Sequence, residues 1–248
     1  MEIVFGIHAV QALLQRNPSR VERVLVHKNK VNARVRELLQ QAKKSRVKVD
    51  QVDIDELERH ADGNHQGVLA ICKNQKSLSE SDLDELLENA SQPLVLVLDG
   101  VTDTHNLGAC LRSADAAGVT AVVVPKDNSA DLNSVVSKVA SGAAETLPFI
   151  KVTNLARTLK ALQDKGLWIT GTAVDETSRP IYEADLTGPR VIVMGSEDKG
   201  MRRLTQEHCD ELVYIPMAGE VSSLNVSVAT GVCLFEVVRQ RGLANTGK

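Results

Sequence analysis

Residues 93–125 read "PLVLVLDGVTDTHNLGACLRSADAAGVTAVVVP". The runs "LVLVL" (94–98) and "AVVV" (121–124) are continuous in hydrophobicity, with no polar alternation. Runs of that kind, short and bounded by turn residues, mark strands buried on both faces. Between them Leu107, Ala109, Cys110, Leu111, Ala114, Ala116 and Ala117 form a helix of small apolar side chains. Arg112 interrupts that helix, and Asn106 stands at its mouth, where a helix N-cap is the simplest role for it.

The pattern repeats outward. "LWITG" (167–171), "RVIVM" (190–194) and "LVYI" (212–215) are further apolar runs. Helical segments are expected at 107–117, 132–140, 154–164, 200–208 and 224–240. Strands alternating with helices predict an α/β fold with a parallel sheet. Such sheets bind ligands in the loops beyond the carboxyl ends of their strands. Attention therefore falls on "DGVTDTHNLG" (99–108), "GSEDKGM" (195–201) and "PMAGEVSSLN" (216–225).

Upstream, residues 1–73 read as a small α/β domain. Strands are expected at 21–28, 47–52 and 67–72, and a helix at 32–45 with Val35, Leu38, Leu39 and Ala42 on one face. A short helix follows at 53–61, with Asp53 as its cap. Residues 74–93, "NQKSLSESDLDELLENASQP", are polar and acidic, and read as a linker with a helical segment at 82–89. The division is thus 1–73, linker 74–93, and 94–248.

Composition narrows the function. Aromatic residues make up 2% of the 248, too few for a base-stacking platform. Neither a signal peptide nor a membrane span is legible. The scattered Cys72, Cys110, Cys209 and Cys233 form no C-x-x-C pair and read as reduced, cytosolic thiols. The net charge of −3 conceals an uneven distribution: residues 16–48 hold eleven basic and two acidic side chains, for +9. That stretch reads either as a solvated helix face or as a footprint for a polyanion. Lys43, Lys44 and Arg46 are its candidate RNA contacts.

Several nucleotide and catalytic motifs are excluded. "GSEDKGM" opens like a phosphate loop, but Met201 stands where the lysine belongs. No G-x-G-x-x-G follows a strand. His8, His65 and His105 lack metal-ligand spacing, so no metal is expected. No G-x-S-x-G supports Ser222 or Ser223 as a hydrolase nucleophile.

Three segments in order, "LDGVTDTHNLGACLRSADAAGV" (98–119), "VIVMGSEDKGM" (191–201) and "IPMAGEVSSLNVSVATGVCLFE" (215–236), resemble the motifs of the SpoU/TrmH branch of the SPOUT methyltransferases. "GIHAV" (6–10) and "HQGVLA" (65–70) resemble that family's ribosomal-protein-like substrate-binding domain. The resemblance implies a C-terminal domain with a deep trefoil knot. It also implies S-adenosylmethionine as cofactor, a cytoplasmic homodimer and no metal. The implied reaction is methyl transfer to the ribose 2′-hydroxyl of a guanosine in 23S ribosomal RNA. Asn106, Arg112, Glu197, Ser223 and Asn225 fall on the family's catalytic positions. Gly195, Ile215 and Leu224 fall on cofactor positions, with Gly171 and Thr172 as further candidates. Within this expectation Glu197 either anchors Arg112 through a carboxylate–guanidinium pair or serves in proton transfer. The alternatives are 2′-O-methylation of tRNA or of another ribosomal nucleotide, and a non-catalytic RNA-binding or ribosome-assembly factor.

Overall fold

The structure, a computed structural model, describes residues 2–30, 32–60, 65–73 and 78–246. The chain divides into two compact units, residues 1–76 with 132–146, and residues 77–131 with 147–248.

In the first unit β1 (Glu2–Phe5) leads into α1 (Ile7–Arg16), then β2 (Val21–His27), α2 (Ala33–Lys44), β3 (Lys48–Val52), α3 (Ile54–His60) and β4 (Val68–Cys72). The sheet order is β1-β4-β2-β3, with β2 and β3 parallel and the other pairs antiparallel. Helix α1 buries Val10, Leu13 and Leu14, and α2 buries Val35, Leu38 and Ala42, into one core with Val24, Val26 and Ala70. The cap of α2 is Asn32, whose side chain accepts from Val35 N at 3.0 Å.

The second unit begins with α4 (Glu80–Glu88), β5 (Leu94–Asp99), α5 (Thr104–Ala116) and β6 (Ala121–Pro125). The chain then leaves it for 132–146, which carries α6 (Ser134–Val139) and packs with the first unit. Glu145 anchors this excursion. It is 2% exposed and accepts from Arg20 at 2.8 Å and from Ser137 Oγ at 3.0 Å. The second unit resumes with β7 (Phe149–Val152), α7 (Leu155–Asp164), β8 (Trp168–Thr172), β9 (Arg179–Pro180), β10 (Arg190–Gly195), α8 (Arg203–Glu207), β11 (Glu211–Tyr214) and α9 (Val226–Thr246). Its seven-stranded sheet has the order β7-β6-β5-β10-β8-β11-β9, parallel at every pairing.

All six residues of β5 and all five of β6 are buried, as continuous apolar runs require. Each such Leu or Val contributes roughly 1.5–3 kcal/mol on removal from water.

The expected boundaries shift in two places. The segment 74–93 is only partly a linker. Its helix α4 sets Leu83 and Leu87 into the sheet core beside Val95, Ile150 and Leu159, while residues 74–77 lie outside the described residues. The expected helix at 132–140 belongs by its contacts to the first unit, which is therefore not a single stretch of sequence. Three strands also escape the pattern. β1 lies in a segment read only for a leader, β7 is a four-residue run broken by Lys151, and β9 is two residues long.

Candidate active site

The three expected loops follow the carboxyl ends of β5, β10 and β11. Helix α5 is capped by Asp103, whose carboxylate accepts from Asn106 N at 2.7 Å. Asn106 therefore sits in the first turn of a helix that starts at Thr104, and the capping role expected of it is already filled. Its carboxamide is free to face outward. It donates to Glu197 Oε2 at 3.3 Å and accepts from Asn225 Nδ2 at 2.9 Å.

Glu197 is the hub. Besides Asn106 it accepts from Asn225 Nδ2 through Oε1, and the same oxygen accepts from Val226 N at 3.2 Å. Val226 opens α9, so the carboxylate lies at a helix N-terminus, where unsatisfied N–H groups and the macrodipole favour negative charge. Asn225 completes the turn, accepting from Ser227 N at 3.0 Å and Ser227 Oγ at 2.6 Å. One carboxylate thus ties together three loops that are distant in sequence. The expected Glu197–Arg112 pair is not formed; the Glu197 oxygens are taken by amide donors.

Arg112 stands apart. It is exposed and has no ion-pair partner among the described residues. Six residues beyond Asn106, it lies about 9 Å along the helix and about 120° around it.

Beside the cluster is a cavity of ≈ 230 Å³ whose lining includes Thr172, Gly195, Glu197, Ile215, Ser223 and Leu224. All six were singled out from the sequence. Met194, Met217, Ser222 and Cys233 also line it and were not. Met194 and Ser222 adjoin expected positions and Met217 lies within the expected loop 216–225; Cys233 is reached only through the turn of α9. Burial pushes the Cys233 thiol up to about 12, so it stays protonated and is no nucleophile.

The two cofactor-candidate glycines have steric reasons of their own. A Cβ on Gly195 would fall inside the contact distance of the backbone at Gly200 C and Met201 N. A Cβ on Gly171 would lie 2.6 Å from Cys209 Sγ and 2.8 Å from Met201 Cε, and Gly171 is absent from the cavity lining.

Lys43, Lys44 and Arg46 are exposed at the carboxyl end of α2 in the first unit. Arg34, Arg36, Lys43, Lys44 and Arg46 have no ion-pair partner among the described residues, whereas Lys28 pairs with Asp53 at 2.6 Å. Among the described residues no group of His, Cys, Asp or Glu is placed to hold a metal ion. No described helix is long and apolar enough to cross a membrane.

Residues 93–235 match the SpoU rRNA Methylase family, and residues 3–78 match the family described as RNA 2'-O ribose methyltransferase substrate binding. The chain is 59% identical over 242 residues to the 23S rRNA (guanosine-2'-O-)-methyltransferase RlmB of Pseudomonas putida, covering 97% of each chain. It is 57% identical over 241 residues to the protein of the same name from Vibrio cholerae, again covering 97% of each. Among solved structures it resembles the SpoU methyltransferase AviRb from Streptomyces viridochromogenes in complex with the cofactor AdoMet. That likeness has a TM-score of 0.77 at 25% identity, covering 96% of this chain and 89% of that one.

Proposed function

The chain belongs to the SpoU rRNA methylase family, and on that premise we propose how its site works. The protein transfers a methyl group from S-adenosylmethionine to the ribose 2′-hydroxyl of a guanosine in 23S ribosomal RNA. The observation that carries this reading is the Asn106–Glu197–Asn225 cluster at the rim of a largely apolar cavity.

The cavity suits S-adenosylmethionine. Ile215, Leu224 and Met194 offer apolar walls for an adenosine, and Gly195 leaves backbone bare. The Glu197 carboxylate complements a sulfonium charge. When bound, the cofactor supplies an electrophilic methyl group. Glu197 holds Asn106 and Asn225 together as one set of donors and acceptors, and Ser223 extends that rim. Aligning a ribose hydroxyl there supplies several kcal/mol of the barrier, on the order of 7–11 in ideal cases. With its oxygens occupied by amide donors, Glu197 positions the site. Arg112 orients the hydroxyl and steadies the developing alkoxide with its planar fork. A guanidinium is a poor base, so the proton goes to the adjacent RNA phosphate.

The first unit grips RNA through Lys43, Lys44 and Arg46. Changing the three together to Gln is expected to weaken RNA binding and to flatten its salt dependence, since fewer counterions are released. S-adenosylmethionine affinity should not move. Equal slopes for wild type and variant across a salt series would reduce the patch to a solvated helix face.

The protein works as a cytoplasmic homodimer. Val228, Phe235 and Val238 on α9 are 53%, 49% and 38% exposed, which supports a second copy covering that helix. Wild type is expected to sediment as a dimer at micromolar concentration, and Val228→Asp with Phe235→Asp as a monomer. A monomeric, fully active wild type would remove the dimer from this account. The seven-stranded order, with β10 between β5 and β8, is compatible with the trefoil knot of the family.

The functional reading itself is tested by calorimetry with S-adenosylmethionine, then by counting methyl groups transferred to 23S ribosomal RNA and to tRNA. Binding followed by transfer to the ribosomal RNA alone is the expected result.

A further inference from the structure

We propose that Asp99 and Arg202 form a staple that positions Glu197, and that Arg202 serves the reaction through it. The inference rests on the methyl-transfer reading above and adds a positioning pair to it.

Asp99 ends β5 and is 1% exposed, one of three buried acids among the described residues. Its carboxylate accepts from Arg202 N at 2.9 Å and from Arg202 Nε at 2.6 Å, with the second guanidinium arm also at 2.6 Å. A buried carboxylate needs such charge-assisted donors to offset its lost hydration. Asp99 is also the register partner of Gly195, the last residue of β10. Between Gly195 and Arg202 runs the loop that carries Glu197. The staple therefore fastens the far end of that loop beside its near end.

The loop is folded tightly between these anchors. Ser196 N donates to Gly200 O at 3.1 Å, and Gly200 N donates to Ser196 O at 2.9 Å. Gly200 has φ +65°, and its backbone closes over Gly195 so tightly that a Cβ there has no room. The hairpin leaves Glu197 facing Asn106, Asn225 and Val226 N. The hairpin also borders a second cavity, lined by Asp99, Ser196, Asp198, Lys199 and Arg202 among others, while Met201 packs into the sheet core. Residues 197–200 are exposed, so the loop depends on the anchors at its two ends to hold Glu197 in place. The Arg202 side chain is half exposed, so its replacement leaves no large hole in the core.

The test is a double-mutant cycle in the full-length protein with Arg202→Gln, Glu197→Gln and the pair, with methyl transfer to 23S ribosomal RNA as one readout. Arg202→Lys is the conservative variant. Arg202→Gln is expected to lower kcat about tenfold or more, with KM for RNA unchanged, since small displacements of a positioning group carry such losses. Arg202→Lys should recover part of it, because the ammonium still neutralises Asp99. In the Glu197→Gln background Arg202→Gln should cost less than about twofold, because a residue acting through another has nothing left to act on. The second readout needs no activity. Amide exchange at 196–201 and at Val226 should accelerate about tenfold or more in Arg202→Gln while β5 keeps its protection. Additive losses in the cycle, or unchanged exchange at Val226, would overturn the staple. If Arg202→Gln does not fold, Arg202→Lys carries the same cycle. Wild-type turnover is the control: its absence would defeat the methyl-transfer reading, whereas turnover with an additive cycle defeats only the staple.

Discussion

Arg112→Ala is expected to keep its fold and its affinity for S-adenosylmethionine while losing about a hundredfold or more in methyl transfer, the scale seen when one preorganised donor is removed from a developing oxyanion. The side chain is exposed and has no ion-pair partner among the described residues, so its truncation breaks no packing and no ion pair there. It lies outside the cavity lining, so cofactor affinity has no route to change. What is lost is the guanidinium fork offered to the ribose hydroxyl and its neighbouring phosphate. Arg112→Lys should also be slow, because an ammonium presents a point charge with no planar pair of donors. Single-turnover transfer beside cofactor calorimetry separates the two effects. Normal turnover by the Lys variant would remove the bidentate role.

Gly195→Ala is expected to have the second large effect, through the backbone. The added methyl group meets main-chain atoms of Gly200 and Met201, which belong to no flexible side chain. The hairpin 196–201 must move or β10 must end early. Overpacking of this kind costs typically about 1–3 kcal/mol and sometimes more. Here the displaced segment carries Glu197 and one wall of the cofactor cavity. S-adenosylmethionine binding should weaken about tenfold or more, with a lowered melting temperature, as 1.4 kcal/mol of lost binding corresponds to tenfold. Gly188→Ala is the control: its Cβ meets nothing within 4 Å, although its φ of +72° is strained for alanine. A Gly195 variant binding cofactor as wild type does would show that the hairpin is soft.

Much of this architecture is legible in the chain because burial on both faces writes itself as unbroken apolar runs. β5, β6 and β10 are buried almost throughout and fall on such runs, whereas β8 and β11 fall on apolar runs that are only partly buried. β7 and β9 do not, because four or two residues at a sheet edge carry too little pattern. The excursion 132–146 is hidden for another reason. Its helix reads correctly from periodicity, but its partners Arg20 and Ala12 lie more than a hundred residues away, and local pattern holds no trace of them. Asn106 shows how a local role read from sequence can be displaced by a neighbour. Asn near a helix start suggests a cap, yet Asp103 three residues earlier takes that task and leaves Asn106 for Glu197. The hub role of Glu197 is absent from the sequence altogether, since Asn106 and Asn225 reach it across 91 and 28 residues of chain. Arg112 was the natural partner by charge; the fold supplies amides instead.

Methylation of the ribose of one guanosine in 23S ribosomal RNA can be read out directly. The direct measurement is to incubate the purified full-length protein with S-adenosylmethionine and unmodified 23S ribosomal RNA, then map 2′-O-methylation by its resistance to alkaline cleavage. One protected guanosine is expected with wild type and none with Arg112→Ala. A methyl group on a base, on the ribose of another nucleotide, or equally on wild-type and Arg112→Ala reactions would contradict it.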